Sequence, residues 1–196
     1  MNNYHYIIAG LPELLPDFSA DTFAYQALED SVREQLSAKD NRTVDWLKFG
    51  SDPANLSRHF YRAVASHRSG FLRKYFDLDR KMRNAQAGYT AAEEGLTPDS
   101  YTIGETESAK EEMSVLMPIF QNSNLIEREH LLDRFRWDRI TDMTVFHYFD
   151  MDVILAFLTK GMIVSRWSRM DKERGAELFR QYVDEVRGTF KGVNFN

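Results

Sequence analysis

The sequence contains no cysteine, which excludes disulfides, thiolate zinc sites and cysteine nucleophiles. Long apolar runs are also missing, because the most hydrophobic stretch, residues 153–164, is interrupted by Lys160. That stretch is shorter than the roughly 20 apolar residues needed to cross a bilayer. The N-terminus has no basic segment followed by an apolar one, so no signal peptide is predicted. These absences fit a reducing cytosol and at most a peripheral contact with a membrane.

Positively charged residues are fewer than negatively charged ones: the chain has 25 Lys and Arg residues and 30 Asp and Glu residues, which gives a net charge of -5. An acidic chain is a poor candidate for binding the phosphates of nucleic acids. The basic and aromatic segment 134–139 is flanked and interrupted by Asp133 and Asp138. We interpret it as a salt-bridged helix face, with stacking on a nucleic acid as the alternative.

Recognisable catalytic signatures are absent: the chain has no P-loop, no dinucleotide glycine fingerprint and no nucleophile elbow. Members of a catalytic triad can be far apart in sequence, so this does not exclude an enzyme. It leaves no positive reason to propose one, and no cofactor is predicted.

Large apolar side chains are abundant, with 14 Phe and 9 Tyr among 196 residues. A hydrophobic fraction of 43% and a charged fraction of 28% are typical of a globular protein. So many aromatic residues predict either a well-filled core or an aromatic surface that is kept for a partner.

Helical periodicity is clearest between residues 71 and 89, where apolar residues are spaced by 4, 3, 4, 3 and 4 positions on one helix face: Phe71, Tyr75, Leu78, Met82, Ala85 and Tyr89. Capping and stop residues predict further helices: from Ser19 or Asp21, from Asp40 to Gly50, after Asp52 and Pro53, from about Glu107 toward Met117, over roughly 124–143, from near Asp150, and from Asp171. Residues 4–8 are instead predicted to be extended or a short strand, because Pro12 and Pro16 prevent a long helix.

The fold class predicted from these patterns is all-α, because strand-like segments do not alternate with the helices. Gly95, Pro98 and Gly104 break any helix near residue 100. We therefore predict an N-terminal helical lobe over 1–95, a connector over 96–106 and a C-terminal helical lobe over 107–196.

One short pattern occurs twice: Tyr-Phe-Asp-Leu-Asp at 75–79 and Tyr-Phe-Asp-Met-Asp at 148–152. In each copy the first aspartate, Asp77 or Asp150, is predicted to cap a helix. The second, Asp79 or Asp152, is predicted to lie in the first turn, at the positive end of the helix dipole. A duplicated helical unit would explain the similarity, and two helices that start alike by chance is the alternative.

The same aspartates suggest two further alternatives. Asp77, Asp79, Asp150 and Asp152 could form a carboxylate cluster for a divalent cation, although helix capping explains all four without a metal. A carboxylate enzyme site could also combine Asp150 and Asp152 with His147 and Glu127, and it requires these side chains to converge in one pocket.

Several segments resemble an uncharacterised bacterial family that is associated with V-type ATPase operons and is taken to supply the C-type (or d-type) central-stalk subunit. The resemblance covers the N-terminus, 75–95 and 137–185, and it rests on the segments 6–14, 76–77, 82–84, 137–142, 147–158 and 166–167, with Asp171 and Gly175. C-type subunits that form a three-lobed funnel are longer, and this chain has room for about two lobes.

The resemblance implies a non-catalytic protein, cytoplasmic and peripheral to the inner membrane, which couples the rotor shaft to the proteolipid ring. It implies no nucleic-acid partner and a two-lobed helical bundle built from a repeated unit. The residues that carry the family pattern, or the helix starts within it, are Asp77, Asp79, Arg83, Asn84, Phe149, Asp150, Asp152, Arg166 and Trp167. The alternative is an unrelated helical adaptor, which predicts an exposed apolar patch.

Overall fold

A computed structural model describes residues 4–18, 23–104, 110–170, 180 and 182–183. Within these ranges the regular structure is helical and no strand is formed, which confirms the all-α prediction. The α-helices are α1 (Tyr4–Ala9), α2 (Tyr25–Gln35), α3 (Ala38–Ser51), α4 (Arg58–Ala65), α5 (Gly70–Glu93), α6 (Lys110–Phe120), α7 (Leu125–Thr144) and α8 (Met151–Ser168). Two 3-10 turns lie at Pro53–Asn55 and Pro98–Ser100.

The N-terminal segment is helical, so the prediction that residues 4–8 are extended is wrong. Ile7 is buried, with 3% of its surface exposed, and belongs to the main hydrophobic cluster. The amide of Gly10 closes the helix by donating to the carbonyls of Tyr6 and Ile7. Tyr and Ile favour strands only where they pack on a sheet, and here the tertiary contacts of α1 with α8 decide the conformation.

The caps of α2 and α3 differ from those predicted. α2 begins at Tyr25 without a side-chain cap, and Ser19 and Asp21 lie outside the described residues. α3 is capped by Ser37, whose hydroxyl accepts from the Asp40 amide and donates to the Asp40 carboxylate at 2.6 Å. Asp40 therefore supports the first turn from within the helix instead of capping it.

α3 ends at Ser51, one residue beyond the predicted stop at Gly50. Asp52 and Pro53 do start a new turn, with the Asp52 carboxylate accepting from the Ala54 amide at 2.9 Å. That turn is a single 3-10 turn, and α4 begins separately behind its own cap, Ser57.

The predicted stripe at 71–89 lies on α5, a helix of 24 residues capped by Ser69. Phe71, Leu78, Met82 and Ala85 are buried along it, which confirms that they share a face. Because α5 begins at Gly70, Asp77 and Asp79 lie in the helix interior. The predictions that Asp77 caps a helix and that Asp79 lies in its first turn are therefore wrong.

Two hydrophobic clusters are built along α5. The larger one includes Phe71 and Phe76 and draws buried residues from Ile7 to Val164. The smaller one joins Leu78, Met82 and Ala85 to residues of α6 and α7: Leu116, Phe120, Leu132 and Phe135. The larger cluster therefore contains residues from both sides of the predicted connector, and the division into two lobes stays a prediction.

Residues 94–104, which follow α5, are irregular apart from the turn Pro98–Ser100. Gly95 (φ 69°) and Gly104 (φ 78°) adopt left-handed conformations there, which glycine accommodates without steric cost. α7 begins and ends within one residue of its predicted bounds, and α8 begins directly after Asp150, as predicted. The predicted last helix from Asp171 lies almost wholly outside the described residues.

None of the described helices combines the length and the apolar character that a membrane crossing requires.

Candidate protein-interaction site

The turn that joins α7 to α8 presents a cluster of exposed apolar side chains. We call residues 145–149 the aromatic loop. Four of its five side chains are large, apolar and exposed: Val145 (57%), Phe146 (87%), Tyr148 (70%) and Phe149 (51%). Burying one such side chain contributes about 1.5–3 kcal/mol. Clustered, exposed aromatic side chains are typical of binding surfaces.

The remaining side chain of the aromatic loop ties it to α8. His147 Nδ1 lies 2.6 Å from an Asp150 carboxylate oxygen, and the His147 amide donates to the carbonyl of Thr144 at 2.9 Å. Phe149 stacks on His5 of α1, with the ring centroids 3.8 Å apart. The loop is therefore held by both flanking helices and by α1, which reduces the entropy lost when a partner binds.

Asp150 is the N-cap of α8, as predicted. Its Oδ1 accepts from the amides of Asp152 and Val153 at 3.0 and 3.2 Å. Asp152 lies in the first turn, also as predicted, and accepts a hydrogen bond from the Ser69 hydroxyl at 3.2 Å. Because Ser69 caps α5, this bond joins the starts of α5 and α8.

The two copies of the repeated pattern have dissimilar surroundings. Phe76 is 1% exposed inside α5, whereas Phe149 is 51% exposed in the aromatic loop. Asp77 caps nothing, and it accepts from Arg80 Nη2 at 2.7 Å and pairs with Lys81 at 3.1 Å. Burial acts to raise the pKa of Asp77, but these two cations outweigh it and lower that pKa. The similarity of the copies does not extend to their structural roles.

Asp79, Arg83 and Asn84 form polar contacts on α5. The Asp79 Oδ2 accepts from the Tyr61 hydroxyl and from Arg83 Nε, each at 2.8 Å. Burial and the Asp79 carboxylate raise the pKa of Tyr61, which keeps the phenol protonated as a donor. Asn84 is buried and bonds the backbone of Ile103. These residues join α4, α5 and the following segment.

Arg166 and Trp167 converge on Asp133, which is not among the predicted site residues. Asp133 is 2% exposed and accepts from Trp167 Nε1 at 2.8 Å and from Arg136 Nη1 at 2.9 Å. Arg166 Nη2 donates to the same carboxylate. The Arg-Trp pair at 166–167 therefore joins α8 to α7 through one buried acid. In the sequence, the role of Asp133 is signalled only by its position. The helical period places this aspartate on the same buried side of α7 as Leu132 and Trp137.

The segment 134–139 forms a salt-bridged helix face, as predicted. Arg134 pairs with Asp138 at 3.3 Å and Arg136 with Asp133 at 2.9 Å. Burial opposes the charge of Arg136, but Tyr75, Asp133 and Asp79 outweigh it and raise the pKa of that guanidinium.

The proposed carboxylate site is not assembled as the sequence alternatives required. His147 meets Asp150, but Glu127 lies in the first turn of α7, about 27 Å along the helix axis from Val145 at 1.5 Å per residue. Asp77 and Asp79 are engaged with Arg80, Lys81, Tyr61 and Arg83, as described above. Over the described ranges, no three His, Asp or Glu side chains converge as a metal site would require.

Comparison with protein families matches residues 1–60 and 106–189 to a family described as "Protein of unknown function (DUF2764)". A search of curated proteins and a search of solved structures each found no significant match. The matched ranges contain Phe149, Asp150, Asp152, Arg166 and Trp167, whereas residues 61–105, including the whole of α5, lie outside them. The resemblance to C-type stalk subunits stays a prediction. Since the matched residues make up well over half of the sequence, the chain belongs to the DUF2764 family.

Proposed function

We propose that this protein is a non-catalytic interaction subunit that binds a partner protein through the aromatic loop, and that the partner is the rotor of a V-type ATPase. The observation that carries the first part is the exposure of Phe146 and Tyr148, which are 87% and 70% exposed in a loop anchored by His147 and Phe149. The sequence resemblance supports the second part, the identity of the partner.

The charges around the aromatic loop favour a protein partner over a lipid surface. Asp142 precedes the loop, and Asp150 and Asp152 follow it. An anionic bilayer attracts basic flanks and repels acidic ones. A mixture of Phe, Tyr and His with a polar rim matches the composition of protein interfaces.

A mechanical role requires helices that move together, and polar contacts between helices, buried or partly buried, supply such cross-links. Asp133 joins α7 to α8, and the bond between Ser69 and Asp152 joins α5 to α8. Satisfied buried networks of this kind rigidify a core. A rigid body with one exposed aromatic loop suits a subunit that transmits force between two partners.

The test is affinity purification of the tagged full chain from its native cell, followed by mass spectrometry. We expect V-type ATPase rotor and proteolipid subunits to be recovered with the unmodified chain. The double variant Phe146→Ser, Tyr148→Ser should lose them. The control is Ile126→Ser, which removes an equally exposed apolar side chain (69%) from the opposite end of α7.

Each part of the proposal has its own contrary outcome. Undiminished recovery of the same partners by the double variant, with circular dichroism showing an intact helical fold, would reject the aromatic loop as the binding surface. Reproducible recovery of partners that never include rotor subunits would reject the V-type ATPase assignment and favour the unrelated helical adaptor.

A further inference from the structure

A second feature, separate from the aromatic loop, is a cavity of about 430 Å³ between α4 and α5. Arginine dominates its polar lining: Arg58 and Arg62 come from α4, and Arg73 and Arg80 come from α5. One carboxylate, Asp77, is also present. The apolar part of the wall includes Phe76, Val64 and Ala65.

Among the described residues, the cationic groups that line this cavity outnumber the carboxylates. Asp77 is already shared between Arg80 at 2.7 Å and Lys81 at 3.1 Å. Among the described residues, no carboxylate lies within ion-pair distance of Arg58, Arg62 or Arg73. Arg73 is held in place by a hydrogen bond from its guanidinium to the carbonyl of His67. Three cationic side chains therefore border one cavity, and no carboxylate in the described part of the chain pairs with them.

The placement of the α4 arginines is unfavourable in the absence of an anion. Arg58 and Arg62 are four positions apart on a helix, where like charges repel. Arg58 is also the first residue of α4, and the positive end of the helix dipole disfavours a cation there. Phe60, Tyr61 and Val64 of the same helix are buried, so α4 cannot turn its arginines away from the cavity. A bound anion would relieve both penalties.

We propose that this cavity binds a phosphate-bearing ligand. The planar guanidinium fork of arginine matches the oxygens of phosphate and donates charge-assisted hydrogen bonds to them. The cavity is at the small end of the range of ligand sites, and its apolar wall gives room for a non-polar portion of the ligand. A soluble phosphorylated molecule and a phospholipid headgroup share this chemistry.

The test measures binding by the full chain. Isothermal titration with inorganic pyrophosphate and with ADP examines the soluble source, and sedimentation with vesicles of phosphatidylglycerol in phosphatidylcholine examines the headgroup. We expect binding in at least one arm, and a loss of about tenfold or more in affinity for Arg58→Gln, Arg62→Gln, since two charge-assisted contacts are removed. The charge-conserving variant Arg58→Lys, Arg62→Lys should fall between the two, because lysine keeps the charge and loses the fork.

Lys74→Gln is the matched control, because Lys74 is exposed on α5 next to Arg73 and does not line the cavity. It should bind like the unmodified chain. An equal loss in Lys74→Gln would mean general attraction to a basic surface and would overturn the proposal. Failure of all three probes to bind, or binding of an acidic peptide in their place, would also overturn it. None of these outcomes bears on the aromatic loop.

Discussion

The side chain of Asn84 and the backbone of Ile103 hydrogen-bond each other in both directions. Asn84 Nδ2 donates to the Ile103 carbonyl at 2.9 Å, and the Ile103 amide donates to Asn84 Oδ1 at 2.9 Å. The carboxamide thus takes the place of a neighbouring peptide group in a strand pair. Arg80 Nη1 adds a bond to the same carbonyl at 3.2 Å. These bonds attach the irregular segment after α5 to the middle of that helix.

Replacing Asn84 with alanine should lower the free energy of unfolding by about 2–4 kcal/mol. The variant leaves the Ile103 amide without its partner, which costs roughly 1–3 kcal/mol, and it removes one of the two donors to the Ile103 carbonyl, which costs about 1 kcal/mol more. Urea unfolding followed by circular dichroism measures the change. Gln86→Ala, at an exposed position of the same helix, should stay within about 0.5 kcal/mol. Equal effects of the two substitutions would show that the paired hydrogen bonds contribute nothing.

Elements whose signal is local could be predicted from the sequence. The spacing from Phe71 to Tyr89 predicts α5 because a helix repeats every 3.6 residues. Asp150 predicts the start of α8 because its carboxylate accepts hydrogen bonds from amides only two and three residues further along the chain. The conformation of residues 4–8 could not be predicted in this way. It depends on the inclusion of Ile7 in a hydrophobic cluster that also contains residues such as Leu155, more than 140 positions away in the chain.

The same limit applies to the candidate site. Asp77 and Asp150 occur in nearly identical local patterns, yet only Asp150 is a cap, because Ser69 has already started α5 upstream. The role of Asp133 depends on hydrogen bonds from Arg166 and Trp167, which belong to another helix. The aromatic content predicts either a filled core or an exposed surface, but the composition does not say which aromatic residues are exposed.

Gly50 and Gly88 are both helical, but alanine should have opposite effects at the two positions. A Cβ at Gly50 would overlap the rings of Phe60 and Phe76, and overpacking of a core costs about 1–3 kcal/mol. A Cβ at Gly88 would meet only Pro98, at 4.0 Å, so the gain in helix propensity of up to about 1 kcal/mol should be realised.

Thermal unfolding of both variants checks this prediction, with Gly50→Ala expected to melt below the unmodified chain and Gly88→Ala above it. A gain in stability for Gly50→Ala would mean that Phe60 and Phe76 move aside at little cost.

Asp133→Asn should be strongly destabilising. It leaves the guanidiniums of Arg136 and Arg166 facing a neutral amide, and breaking a buried ion pair costs about 3–5 kcal/mol. Because Arg166 is 41% exposed, solvent screening should reduce the loss to about 2–4 kcal/mol. The midpoint of urea unfolding reports it. Asp138→Asn removes an aspartate of the same helix from an exposed pair with Arg134, and its effect should stay within about 1 kcal/mol. If Asp133→Asn lowers the free energy of unfolding by no more than Asp138→Asn does, Asp133 does not hold α7 and α8 together.

Glu29 should make stability depend on pH in mild acid. Burial acts to raise the pKa of Glu29, but hydrogen bonds from Lys48 and Arg33, each at 2.8 Å, outweigh it and hold that pKa below its ordinary value of 4.5. The unfolded chain therefore binds more protons just below pH 4.5, so this stabilisation is complete above that pH and is lost as pH falls through the folded pKa. Glu29→Gln should lower the unfolding free energy near neutrality by about 1–3 kcal/mol. Urea unfolding at several pH values should show that deficit shrinking in acid, whereas exposed Glu34→Gln should follow the unmodified chain throughout. A deficit that stays constant with pH would mean that Glu29 contributes by packing and not by its charge.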